Sequence, residues 1–414
     1  MVRVATPHIF AGFGVELEYM IVNRDSLDIM PAADELLLAA AGRVQNEVEM
    51  DDIAWSNELA LHVVELKTNG PVASLSGVAD RFQEHIGKVN SLLGSLGARL
   101  MPSAMHPWMD PHRETKLWPH GSRVIYEAYN RIFGCQGHGW SNVQSTHLNL
   151  AFNGDDEFGR LHAAIRLLLP VLPALAASSP LVDGRASGML DTRLEYYRSN
   201  QKRVPSISGA VIPEQAYTRQ DYEEMILSRN YRDIAPYDPE GILQFEWLNS
   251  RGAIARFDRS AIEIRLLDIQ ECPLADLAVV SAIVAALRAL VAERWQPFAE
   301  QAAFAVAPLA DLFTSVIREA DRTLIADRNY LGLFGMQEGK MTAGEFWQAL
   351  VEKTMEPDDP YRPALDVILR QGPLGRRILR AVDSSFSHEK LQDVYGPVWP
   401  PGRCFSPDSF LDRH

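Results

Sequence analysis

Four alternating stretches place polar, mostly ionisable side chains at i and i+2, the spacing at which side chains share one face of a β-strand. Gly14–Asn23 (GVELEYMIVN) carries Glu16 and Glu18, and Leu61–Asn69 (LHVVELKTN) carries Glu65 beside Lys67. Val143–Phe152 (VQSTHLNLAF) carries His147 and Asn149, and Ala261–Ile269 (AIEIRLLDI) carries Glu263 and Arg265. For any one strand the plain alternative is a sheet with one wet face. A solvent face favours Thr and other β-branched types, however, and these stripes repeat Glu, His, Asn and Arg instead. Bringing Glu16, Glu18, Glu65 and Glu263 together is costly, since two carboxylates about 4 Å apart repel by roughly 4 kcal/mol at an effective dielectric of 20. A hard divalent cation, Mg²⁺ or Mn²⁺, is the natural compensator for a wall of oxygen ligands. On that reading Glu263→Gln lowers turnover by orders of magnitude while leaving stability near wild type or higher, because it relieves repulsion.

The opposite stripe of each stretch is apolar, as in Val15, Leu17, Tyr19 and Ile21, or Thr146, Leu148, Leu150 and Phe152. Such stripes need helices to cover them. The 3.6-residue period predicts helices over Val72–Leu96, Asp156–Ser178 and Pro273–Trp295, with Pro273 suited to a first turn. After residue 300 strand signals fade. Ala343–Met355 and Arg362–Val382 read as short helices broken by Pro and Gly, and the tail from Asp393 to His414 reads as irregular. The Gly-rich Gly134–Gly139 reads as a loop.

The chain has 414 residues, with 40 Lys and Arg against 54 Asp and Glu, a net charge of −14. That balance, without a basic run, argues against nucleic acid and anionic membranes as partners. Cys135, Cys272 and Cys404 show no disulfide or zinc spacing, which suits reduced thiols in the cytoplasm. The apolar stretches Leu161–Leu181 and Leu277–Ala292 contain Arg or Pro and do not read as membrane spans of about 20 residues. The N-terminal segment lacks the apolar core of a signal peptide. No phosphate-binding G-x-x-x-x-G-K-[ST], H-E-x-x-H, dinucleotide fingerprint or G-x-S-x-G elbow occurs.

Five motifs in order carry a resemblance: GVELEY at Gly14–Tyr19, the Glu58–Glu65 stretch leading into VVELKTNGP, STHLNLAF at Ser145–Phe152, ASSPLVDGRASGMLDTR at Ala177–Arg193, and AIEIRLLDIQ at Ala261–Gln270. Together they resemble the glutamate–cysteine ligase family, in the branch shared by plant-type and bacterial carboxylate–amine ligases. The likeness covers about residues 12–295. It implies an α+β fold of glutamine-synthetase catalytic-domain type: a curved antiparallel sheet with helices on its convex face and the active site on its concave face. It implies a catalytic domain over residues 1–300 and a mostly helical extension over 301–414 packed on it. The implied reaction uses ATP and Mg²⁺, with Mn²⁺ as an alternative. The side chain of glutamate becomes an acyl phosphate, which an amine, that of cysteine in the first instance, converts to an amide. The implied partners are small-molecule substrates, and a homo-oligomer is compatible with the chain.

The same resemblance assigns roles. Glu16, Glu18, Glu58, Glu65 and Glu263 match metal-binding carboxylates. Glu58 and Glu65, seven residues apart, need a bulge or turn between them to share a face. His147 and Asn149 fall on the metal or nucleotide side, and Lys202 and Arg203 fall in a loop where relatives carry basic residues. Arg193 and Arg265 match the groups that hold substrate or phosphate, a task suited to a guanidinium fork. Arg265 could equally pair with Glu263. Trp118, Tyr126 and Trp140 are candidates for the pocket lining or for plain packing. T-H-L-N-L stands where many bacterial members carry an H-x-H-x-G strand and is closer to the plant-type version; the amine-side pocket transfers least, because specificity there depends on loops.

Overall fold

The computed structural model describes residues 7–337 and 339–396. The expected tail beyond residue 396, with Cys404, lies outside the described residues, and the stretch before it closes in a short helix, His388–Tyr395. Eight strands form one sheet: β1 (Phe13–Asn23), β2 (Glu47–Met50), β3 (Ile53–Asn57), β4 (Val63–Thr68), β5 (Ala98–Met101), β6 (Ser145–Ala151), β7 (Ala253–Arg256) and β8 (Ala261–Asp268). The order is β2–β3–β4–β1–β6–β8–β7, with β5 pairing to the far end of β1, and every pairing is antiparallel.

The four strands expected from alternation are thus β1, β4, β6 and β8, the contiguous middle of the sheet. Four others were not expected from the sequence. β2 and β3 form a hairpin whose turn places Asp51 in the left-handed region (φ 57°), a conformation Asp tolerates. β5 and β7 are four residues each and wholly buried, so no polar stripe marks them.

The apolar stripes of the sheet, including Val15, Leu17, Leu66, Leu148, Leu150, Ile262 and Ile264, share one buried cluster with the covering helices. Helix α1 (Val78–Gly94) contributes Phe82, Ile86, Val89 and Leu93; α2 is Gly154–Leu168, α3 is Thr192–Tyr197 and α4 is Pro273–Val291. The helix expected over Asp156–Ser178 is broken, because Pro170 and Pro173 cannot donate within it. A 3₁₀ turn (Leu169–Val171) and a single turn (Pro173–Ala176) follow α2. By composition α4 could cross a membrane, yet 78% of its apolar window is buried inside this protein, as befits a core helix.

Residues after 300 add Phe313, Phe346, Trp347, Leu365 and Ile368 to the same cluster. Tyr330 Oη donates to the Leu167 carbonyl (2.8 Å) and Trp347 Nε1 to that of Val171 (2.7 Å), tying these helices to the segment behind the sheet.

Candidate functional site

The register writes the polar face as three rows across neighbouring strands. Ser56, Glu65 and Glu18 stand opposite one another on β3, β4 and β1, and Lys67, Glu16 and His147 do so on β4, β1 and β6. Gly14, Asn149 and Glu263 make the third row on β1, β6 and β8. A Cβ on Gly14 would come within 3.0 Å of Asn149 Cβ, so glycine permits the close approach there. Directly opposed residues share a face with Cβ atoms about 5 Å apart, so the rows bring the carboxylates into one cleft of about 350 Å³.

Hydrogen bonds fix the wall. Glu16 accepts from His147 Nδ1 and Asn149 Nδ2, both at 2.9 Å. Glu18 accepts from the Ser145 amide (2.6 Å) and hydroxyl (2.9 Å), and Glu65 accepts from Ser56 Oγ (2.8 Å) and pairs with Lys67 (3.1 Å). Glu263 takes Arg265 Nε at 2.6 Å, with His147 at 3.7 Å and Arg256 at 3.8 Å. Arg265 therefore sits in the cleft and also makes the ion pair with Glu263.

Burial penalises every charge here, and the balance differs from residue to residue. Burial alone would lift Glu16, but the hydrogen bond and charge of His147, with Lys67 and Arg265, hold it down at about 2. Burial followed by the Glu16 charge pushes Glu65 up to about 7. Burial would lower His147, yet Glu16, Glu18 and Glu263 raise it to about 9, so the imidazolium stands among the carboxylates where a cation belongs. Glu58 lies in the turn between β3 and β4, as its spacing from Glu65 required, and lines the same cleft. Burial and the charges of Glu18 and Glu65 push its carboxyl well above the usual range.

The donor chemistry fits a hard divalent cation. Glu16, His147 and Glu263 form one group and Glu18, Glu65 and His147 another, the ligand atoms of each within 4.8 Å of one another. Glu58 belongs to neither group.

Arg193, on α3, lines the cleft at 2% exposure, its Nε bound to Asp268. Lys202 and Arg203 are exposed and line none of it; Asn200 and Gln201 of the same turn do. The turn of residues 199–203 faces Asn200 and Gln201 inward, while Arg203 donates to the Ile132 carbonyl (2.8 Å) and covers the Tyr237 ring. Trp118 is core, whereas Tyr126 and Trp140 reach the cleft with Tyr129, Tyr197 and Trp247. Sequence reasoning passed over Ser145, although it shares the stripe of His147 and Asn149, and passed over Asp268, whose phase no regular strand gives. A second hollow of about 330 Å³, lined by Gly12, Gly14, Asn69, Gly70 and Asn149 among others, adjoins the first and shares Glu16, Lys67 and Arg259 with it.

A family profile described as glutamate-cysteine ligase family 2 matches residues 12–397. An uncharacterized protein of Archaeoglobus fulgidus is 34% identical over 366 residues, covering 88% of this chain and 92% of that one. A Rubrobacter xylanophilus protein with a provisional glutamate–cysteine ligase 2 name is 27% identical, over 45% of this chain and 46% of its own length. Among solved structures, the glutamate–cysteine ligase of Francisella tularensis in complex with AMP has a TM-score of 0.64 at 13% identity, covering 99% of this chain and 92% of that one. That likeness is one of fold.

Proposed function

The chain belongs to glutamate–cysteine ligase family 2, and from that membership and the cleft we infer an ATP- and Mg²⁺-dependent ligase that joins the side-chain carboxylate of glutamate to an amine, cysteine being the first acceptor to try. The observation that carries the reading is the convergence of Glu16, Glu18, Glu65, Glu263 and His147 on one face with Arg193 and Arg265 beside them.

A carboxylate oxygen of the acid attacks the γ-phosphorus of ATP and ADP leaves. The amine nitrogen then attacks the acyl carbon, phosphate leaves, and the nitrogen gives up a proton. Such chemistry draws mainly on positioning and on charge stabilisation by preorganised groups. Divalent cations held by Glu16, Glu18, Glu65, Glu263 and His147 would neutralise the triphosphate, which lets a chain of net charge −14 accept a polyanion. Arg265 and Arg193 hold the oxyanions of acid and phosphoryl group. Tyr126, Tyr129, Trp140 and Trp247 wall the cleft and keep water from a reactive acyl phosphate. The same aromatic wall favours a second reading, an amine with a larger apolar body than cysteine. Buried free thiols at Cys135 and Cys272 agree with a cytoplasmic setting.

The test is phosphate release by purified protein with ATP, Mg²⁺, glutamate and a panel of amines. The reading requires release that depends on both acid and amine and is abolished in Glu18→Gln. A cysteine rate above all other amines selects the first reading, and a faster bulky amine selects the second. No release with any amine sinks both.

A further inference from the structure

Regular alternation along β8 would send Glu263, Arg265 and Leu267 to the cleft face and Asp268 to the helix face. The ladder to β6 does otherwise. It runs in step from Ala261 to Ile264, then slips, so that Ile264 to Leu267 spans three residues against two from Leu148 to Thr146. This is a β-bulge, and bulges redirect side chains next to active sites. Because of it Asp268 stands opposite Ser145, whose hydroxyl donates to Glu18 on the cleft face.

Asp268 is wholly buried, and both its oxygens are taken. Oδ2 accepts from the Ser178 amide (2.8 Å) and the Ser179 hydroxyl (2.7 Å), and Oδ1 accepts from Arg193 Nε (2.5 Å). The Arg193 amide donates to the same Ser179 hydroxyl (3.1 Å), so backbone and side chain of Arg193 are held from one side. Its two Nη atoms lie 3.4 and 3.5 Å from the Arg265 carbonyl, a weak hold, and the side chain lines the cleft. A buried ion pair contributes little net stability over an apolar replacement, so a bulge maintained to build one calls for another purpose.

Resting on the ligase reading, we propose that Asp268 is a positioning residue: it fixes the Arg193 guanidinium so that its outer edge meets an oxyanion of the bound reactants. The oxyanion is either a carboxylate of the acid substrate or the phosphoryl group in transfer. Asp268 touches neither and acts through Arg193 alone.

The experiment uses the full chain. Asp268→Asn keeps the shape and removes the charge, and a misplaced positioning group costs up to about 100-fold. The expected result is a loss of tenfold to a hundredfold in kcat/KM. The loss falls on the KM of the acid with the ATP KM unchanged if the oxyanion is the carboxylate, and on kcat if it is the phosphoryl group. Arg193→Ala is then offered guanidinium at millimolar concentration. The seat built by Asp268 predicts recovery of rate, and the double variant Arg193→Ala/Asp268→Asn predicts none. Wild-type kinetics in Asp268→Asn, equal recovery with and without Asp268, or no recovery in Arg193→Ala overturns the proposal. A readout free of turnover is the ¹⁵N–¹H signal of Arg193 Nε, assigned by its loss in Arg193→Lys. It must shift in Asp268→Asn; an unmoved signal overturns the proposal even if the protein proves to have no ligase activity, an outcome that by itself would count only against the ligase reading.

Discussion

Glu263→Gln separates an active-site carboxylate held by cations from one held against its neighbours. The Glu263 side chain is 4% exposed, 2.6 Å from Arg265 Nε, 3.7 Å from His147 Nδ1 and 3.8 Å from Arg256 Nη1. Charge alone led to the expectation that the amide would relieve repulsion; the structure reverses it, because three cationic groups surround this carboxylate. Breaking a buried pair by neutralising one partner costs about 3–5 kcal/mol, and Gln keeps an acceptor for Arg265, which favours the lower end. An unfolding entropy of about 2.1 cal/mol/K per residue gives ~0.9 kcal/mol/K for the whole chain, so about 3 kcal/mol lowers the Tm by ~3 °C. The assay is thermal unfolding of wild type and Glu263→Gln in metal-free buffer, with phosphate release measured on the same samples. The account expects the Tm to fall by that amount and turnover by orders of magnitude. A variant as stable as wild type, or more so, would refute the claim that the cations on β6, β7 and β8 hold Glu263.

Three further outcomes follow from the same geometry. Glu65→Gln raises the metal-free Tm by a degree or more, because burial and the Glu16 charge outweigh what Lys67, His147 and the Ser56 hydroxyl return to this carboxylate; calorimetry decides it. Saturating Mg²⁺ stabilises wild type by about 2.7 kcal/mol at 100 times its Kd. That increment shrinks in Glu16→Gln and in Glu18→Gln, read as Tm against metal concentration. His62 and His106 are buried and neutral, each donating to a backbone carbonyl, and burial depresses both to about 4. The unfolded chain takes up protons below about pH 6.5 that the folded chain refuses, so stability is present above that pH and is lost as pH falls towards 4. The loss is about 3 kcal/mol per histidine, and His62→Gln blunts it in urea titrations across that window.

Most of the site was legible because its residues lie on central strands with one wet and one apolar stripe. Alternation alone aligns Glu16, Glu18, Glu65, His147, Asn149 and Glu263. The need for a turn after Glu58 followed from counting residues. What escaped depended on tertiary context. The short buried strands Ala98–Met101 and Ala253–Arg256 have no polar stripe to reveal their period. The bulge after Ile264 has no residue signature, so Asp268 could not be placed on the cleft side. Lys202 and Arg203 matched a basic loop, but the tight turn that carries them faces Asn200 and Gln201 inward instead.

The central claim, that this cleft condenses an acid with an amine at the expense of ATP, is tested most directly by mass analysis of the products. Incubation with ATP, Mg²⁺, glutamate and an amine should yield glutamate and amine joined with loss of one water, alongside equal amounts of ADP and phosphate. ATP consumed without any condensed product, or no ATP consumed with any acid and amine offered, would contradict it.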